Sequence, residues 1–154
     1  MTQAYNKQAV GATFDLHKMH RARNQTMQAV HTIANQIVVD MSEVDARAMA
    51  MDVLQQMGMD RIWHPALVRF GVNTLKKFNE VSEGNPILQA NDIFFVDLGV
   101  VWEGYEGDAG ATFVVGDDAD MRACSEACKV IYDEVEAHWR NTHCSGKALY
   151  DYAE

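Results

Sequence analysis

The sequence predicts an α/β chain of the α+β kind, with helices packed on an antiparallel sheet. Three observations lead there. Apolar residues recur at helical spacing over residues 12–39 and again over 43–57. Two strand-like runs, Ile93–Val101 and Tyr105–Val115, flank the short segment Trp102-Glu103-Gly104, the pattern of a hairpin. A third amphipathic helical stretch follows the second run directly. The length of 154 residues suits one domain or part of one, and a 48% hydrophobic content is enough for an ordinary core.

The elements can be justified in order. In the first helix Leu16, Met19, Arg23, Met27, Val30, Ile33, Ala34 and Ile37 fall mostly on one stripe. Asp40-Met41-Ser42 breaks it. Ser42, with Asp45 three residues later, forms a capping box in which Asp takes the usual Glu place. The second helix then runs over 43–57 and stops at Gly58. Its methionines, Met49, Met51 and Met57, with Met59 beyond, are core filling. Trp63 to Phe70 is a candidate short strand, and 71–88 an irregular connector with a turn at Gly84-Asn85-Pro86. After the hairpin, Asp118 is the expected N-cap of a helix over 119–140. Met121, Cys124, Cys128, Ile131, Val135 and Trp139 form its apolar face, so both cysteines are expected to be buried. A further helix begins near Lys147, and the sequence stops within its amphipathic pattern.

The hairpin carries the candidate chemistry. Asp97 and Asp108 lie eleven residues apart in it. A turn centred between Trp102 and Glu103 places them directly opposite, on one face, with Cβ atoms about 5 Å apart. Two carboxylates so placed repel each other, and Asp97 interrupts a strongly apolar strand. A bound cation offsets both costs. A proton shared between the two, or an ordinary hydrogen-bonded strand aspartate, is the alternative.

Charge narrows the partners. The net charge is −9 and no basic cluster occurs, which argues against nucleic acid and anionic membrane surfaces. No apolar stretch approaches the roughly 18 residues that span a bilayer. Met1 to Val10 is polar and does not read as a secretory signal. Cys124, Cys128 and Cys144 are odd in number and lack metal-pair spacing. Together these features point to a cytoplasmic location.

Asp97-Leu-Gly, then Gly104-Tyr105, then Asp108, then Thr112-Phe113 resembles the Asp-x-Gly…Gly-Tyr…Asp-x-x-x-Thr-Phe signature of the pita-bread metallopeptidases. That family includes methionine aminopeptidase, aminopeptidase P, prolidase and creatinase. Upstream, Met41-Ser-Glu-Val-Asp45 and Arg69-Phe-Gly-Val-Asn73 resemble family stretches before the second helix and before the hairpin. The resemblance covers roughly residues 15–154 and is nearest to aminopeptidase P. It implies that residues 1–154 form the N-terminal half of a pita-bread domain, helices on an antiparallel curved sheet.

The resemblance also implies a two-metal peptidase acting at the N-terminal end of short peptides, including Xaa-Pro bonds. Divalent ions (manganese, cobalt, zinc or iron) would activate water for attack on the peptide carbonyl. Asp97 and Asp108 match the family's two aspartate ligands. Its histidine and two glutamate ligands are expected downstream, so the chain as given is expected to be inactive and to bind no ion or bind one weakly. Thr112, on the face of Asp108, is expected to orient that carboxylate.

Two departures touch substrate choice. Where aminopeptidase P relatives carry a histidine before the first aspartate, this chain has Asn79 and Glu80, and His64 stands displaced upstream beside Pro65. Ala111 replaces a frequent arginine. His17, His20, His138 and His143 need no function, and Glu106 is a rim residue. A non-catalytic peptide- or protein-binding module and a creatinase-like C–N hydrolase are the alternative functions. An unpaired sheet edge would favour a homo-oligomer.

Overall fold

A computed structural model describes residues 11–154. The first ten residues, read above as no secretory signal, lie outside the described residues. Helix α1 (Leu16–Ala34) and helix α2 (Glu43–Gln56) precede two short strands, β1 (Arg61–Ile62) and β2 (Leu67–Phe70). A 3-10 turn at Gly71–Leu75 follows β2. Strands β3 (Asp92–Trp102) and β4 (Tyr105–Val115) form the hairpin, and helices α3 (Ala119–Thr142) and α4 (Gly146–Ala153) close the chain.

Local chemistry sets these boundaries. Asp15 caps α1 by accepting from the backbone N–H groups of His17 and Lys18. Ser42 Oγ accepts from Asp45 N at 3.1 Å and donates to Asp45 Oδ2 at 2.6 Å, so the serine cap forms, but the shorter acid bonds the hydroxyl and not the Ser42 N–H that a full capping box engages. Gly58 ends α2 with φ +82°, its N–H donating to Gln55 O while Met59 N donates to Leu54 O. These two bonds satisfy carbonyls that the helix end leaves open. The first helix is shorter than its periodicity suggests, because Asn35 to Val39 turns away toward the connector.

The sheet is antiparallel throughout. β4 pairs with β3 along its whole length, so β1 and β2 share the other side of β3. Among the described residues the outer edge of β4 has no strand partner. Even-numbered residues of β3, namely Phe94, Val96, Leu98, Val100 and Trp102, are buried. They pack with Val68 and Phe70 of β2 and with the odd-numbered Ala109, Ala111 and Phe113 of β4 under α1 and α2. Ala22, Ala29, Val30 and Ile33 meet them from α1, and Ala46, Ala50 and Leu54 from α2. The small alanines bring the helices close, and burial of each large aliphatic side chain contributes about 1.5–3 kcal/mol.

One polar connection crosses this core. Trp102 Nε1 donates to Thr26 Oγ1 at 2.9 Å, and that hydroxyl donates to Ala22 O at 2.8 Å. Gly107 makes the approach possible, since a Cβ there would lie 2.1 Å from Thr26 Oγ1. Glu43 is also buried. Its carboxylate accepts from Phe70 N and Asn73 Nδ2, both at 3.1 Å, and from Arg47 at 2.7 Å. The two upstream stretches, Met41–Asp45 and Arg69–Asn73, are thus joined through one side chain.

Two expectations are corrected here. The hairpin turns on Glu103-Gly104, not between Trp102 and Glu103, and Trp102 pairs with Tyr105. Both turn residues have positive φ, +49° and +80°, as a two-residue turn matching strand twist requires. Asp97 therefore pairs with Gly110 and Asp108 with Gly99. Because the shift is two residues, both aspartates keep the same face. The second correction concerns α3: Cys124 and Cys128 are exposed, and no residue of the helix is buried. Its apolar stripe exists, but this chain offers little for it to cover. Ser125 Oγ donating to Thr112 O is one bond that ties it to β4.

Candidate metal site

The site lies on the sheet face opposite α1 and α2. Odd residues of β3 and even residues of β4 point there, including Asp97 and Asp108. Their offset is diagonal, for which strand geometry gives a separation of about 7–8 Å between Cα atoms. This leaves room for a third group, and the structure supplies one in His64.

His64 arrives through a break in the neighbouring strand. Ile62 pairs with Val100 and Leu67 with Asp97, so the four residues 63–66 face only Leu98 and Gly99. Such a bulge re-aims a side chain. Trp63 N donates to Gly99 O at 2.9 Å and fixes the near end of the bulge. The imidazole then lies over Gly99, where a Cβ would sit 2.1 Å from His64 Cδ2. Trp63 and Phe78 meet the ring edge-on, with centroids 4.5 and 5.4 Å away. Phe78 is presented by a loop that buried Arg69 holds, its guanidinium donating to the carbonyls of Lys76, Lys77 and Glu80. Asn79 and Glu80 belong to that loop.

The result is a cluster of three. His64 Nε2 stands 3.9 Å from Asp97 Oδ1 and 3.7 Å from Asp108 Oδ1. One donor atom from each residue lies within 4.8 Å of the others. Among the described residues neither carboxylate accepts a hydrogen bond within the protein. Burial holds the Asp97 carboxyl above the usual carboxylate range, and the Asp108 charge adds to this, while His64 and Arg69 oppose it. Asp108 is the more open of the two.

Thr112 shares the face and the strand of Asp108, as expected. Its backbone carbonyl is engaged by Ser125. A groove of about 670 Å³ runs along β4 between α1 and α3, lined by Met27, Asp97, Asp108, Thr112, Lys129 and Tyr132 among others. His17 and His20 are exposed on α1 and stand outside the cluster. The His138 ring stacks on Tyr152, and His143 ends α3 in a left-handed conformation. Glu106 is a rim residue, 3.9 Å from Arg61. Sequence reading did not place His64 with the aspartates. The available signals were Pro65, which disfavours continuous pairing, and Gly99, a glycine inside a strand where another group approaches closely.

Two carboxylates and an imidazole thus converge on one face of a helix-backed antiparallel sheet, a donor set of the kind that suits a cation. The family model of metallopeptidase family M24 matches residues 17–154, and the chain belongs to that family. No curated protein matches the chain. Among solved structures it is similar to X-Pro aminopeptidase from Thermotoga maritima MSB8, with TM-score 0.64 and 18% identity over 78% of this chain. It is also similar to zinc-substituted E. coli aminopeptidase P in complex with product, with TM-score 0.66 and 19% identity over 84% of this chain and 29% of that one. Methionine aminopeptidase from Thermotoga maritima aligns with TM-score 0.65 and 15% identity, over 82% of this chain and 53% of that one. The fold is the pita-bread fold, here unclosed. The chain spans 33% of the X-Pro aminopeptidase.

Proposed function

We propose that Asp97 and Asp108 are the aspartate ligands of a two-metal peptidase centre. The protein that carries them would remove N-terminal residues from short peptides, Xaa-Pro bonds included. The observation supporting this is the pair itself: two carboxylates on one sheet face, without hydrogen-bond donors, at the wall of an open groove. When bound, divalent ions supply Lewis-acid polarisation and a lowered water pKa. Asp97, backed by the sheet, fixes position, and the more exposed Asp108 meets the groove. Thr112 lies four residues along the same strand face; no hydrogen bond joins it to Asp108 in the structure, and orienting that carboxylate is its proposed part once a metal is bound. Oxygen-rich donors suit manganese, with cobalt, zinc or iron as alternatives.

The ligand set implied by the family resemblance includes a further histidine and two glutamates, so these 154 residues alone are expected to show no turnover and to bind no ion or bind one weakly. The protein of the complete reading frame, assayed on short peptides, is expected to require added Mn²⁺ or Co²⁺. Turnover unchanged by a chelator would reject the proposal.

No described helix is long and apolar enough to cross a membrane. A cytoplasmic location fits three cysteines with no disulfide among them. Self-association is the expected state of this chain. It is supported by the open β4 edge and by exposed Val130, Ile131 and Trp139 on α3. Size-exclusion chromatography with light scattering should give a mass above 17.3 kDa. A strictly monomeric peak at micromolar concentration would rule this out.

A further inference from the structure

We propose that His64 Nε2 is a third ligand to a divalent cation held by Asp97 and Asp108. This rests on the carboxylate reading and extends it with a nitrogen donor that the two-aspartate signature does not contain.

The tautomer comes first. His64 Nδ1 lies 2.8 Å from Pro65 O. A carbonyl oxygen only accepts, so Nδ1 carries the hydrogen. In the neutral ring Nε2 then bears the lone pair. A backbone carbonyl on one ring nitrogen is the arrangement that prepares the other for a metal.

The surroundings of Nε2 come next. The side chain is 9% exposed, yet Nε2 has no hydrogen-bond donor facing it and looks toward two carboxylates. Three acceptors directed at one point form no hydrogen bonds among themselves. A cation between them satisfies all three. Nε2 stands 3.9 and 3.7 Å from the two carboxylate oxygens, beyond hydrogen-bond distance. These distances fit ligands on a shared ion, since bonds of about 2.0–2.2 Å keep two donor atoms no more than about 4.4 Å apart.

The site is also built. Two residues beyond strand register, the clearance over Gly99 and the edges of Trp63 and Phe78 all serve to bring this one ring over the carboxylates and hold it there. One imidazole with two carboxylates selects a borderline cation such as Zn²⁺, Co²⁺ or Mn²⁺ over Mg²⁺ or Ca²⁺.

The test uses the purified chain at neutral pH with Zn²⁺ and Co²⁺ as probes. Titration calorimetry reads affinity, and long-range 1H–15N NMR reads the histidine ring nitrogens. Zn²⁺ is expected to shift one histidine Nε2 resonance that is absent in His64→Ala, and that variant should lose about 100-fold or more in affinity, beyond most outer-sphere changes. Gly99→Ala keeps the imidazole but fills the space it occupies, and should lose affinity similarly. It supplies the comparison if His64→Ala does not fold. Zn²⁺ binding that depends on Asp97 and Asp108 but leaves every histidine resonance in place would overturn the inference and spare the carboxylate reading. No binding by the unaltered chain would overturn the inference alone, since two carboxylates without the downstream ligands are expected to hold an ion weakly or not at all.

Discussion

Asp97→Asn is expected to act in opposite directions on binding and on stability. Removing one carboxylate of the pair should lower divalent-metal affinity more than about 100-fold, since outer-sphere changes alone cost 10–100-fold. In the metal-free protein the same change should raise thermal stability at neutral pH. Burial, with the Asp108 charge, raises the Asp97 carboxyl pKa in the folded state. The folded chain therefore binds that proton more tightly than the unfolded chain. Between the ordinary carboxylate range and the raised value, the folded state holds more protons, so stability falls as pH rises. Above that window the cost stays constant, and asparagine removes it. Thermal melts of both proteins from pH 3 to 8, with metal chelated, should diverge as pH rises. Parallel curves would show that the carboxylate carries no such strain.

Glu43→Ala should be the most damaging substitution outside the site, costing about 3–5 kcal/mol. The carboxylate is 1% exposed and holds Phe70 N, Asn73 Nδ2 and Arg47 at once. Alanine leaves the buried Phe70 N–H unpaired, at about 1–3 kcal/mol, and takes one of the two acceptors of Asn73 Nδ2, which keeps only Glu83 O. Glu43→Gln retains an acceptor and should lose less. Urea denaturation orders the three proteins. Equal midpoints for Glu43→Ala and the unaltered chain would dismiss Glu43 as the link between α2 and β2.

Much of the framework was legible because it is written in local chemistry. The Ser42 and Asp118 caps and the Gly58 stop fix helix ends through groups within a few residues of each other. The alternating β3 and β4 residues gave the hairpin and the shared face of the aspartates. The register was misread because a two-residue turn with both φ values positive usually carries Asn or Asp before Gly, and Glu103 stands there instead. Burial of Cys124 and Cys128 was misread for another reason. Periodicity shows that α3 has an apolar face, but says nothing of what covers it. His64 was missed because the bulge at 63–66 depends on the pairs that bound it, Ile62 with Val100 and Leu67 with Asp97, which join segments far apart in the chain.

The hairpin divides its labour by parity. Residues 105, 109, 111 and 113 lock the frame from the dry side, and a one-step slip would drive them into water. The even positions from 106 to 114 bear little of that constraint. New chemistry can be sampled there, as a library confined to those codons would do, while the scaffold that presents it is left unedited.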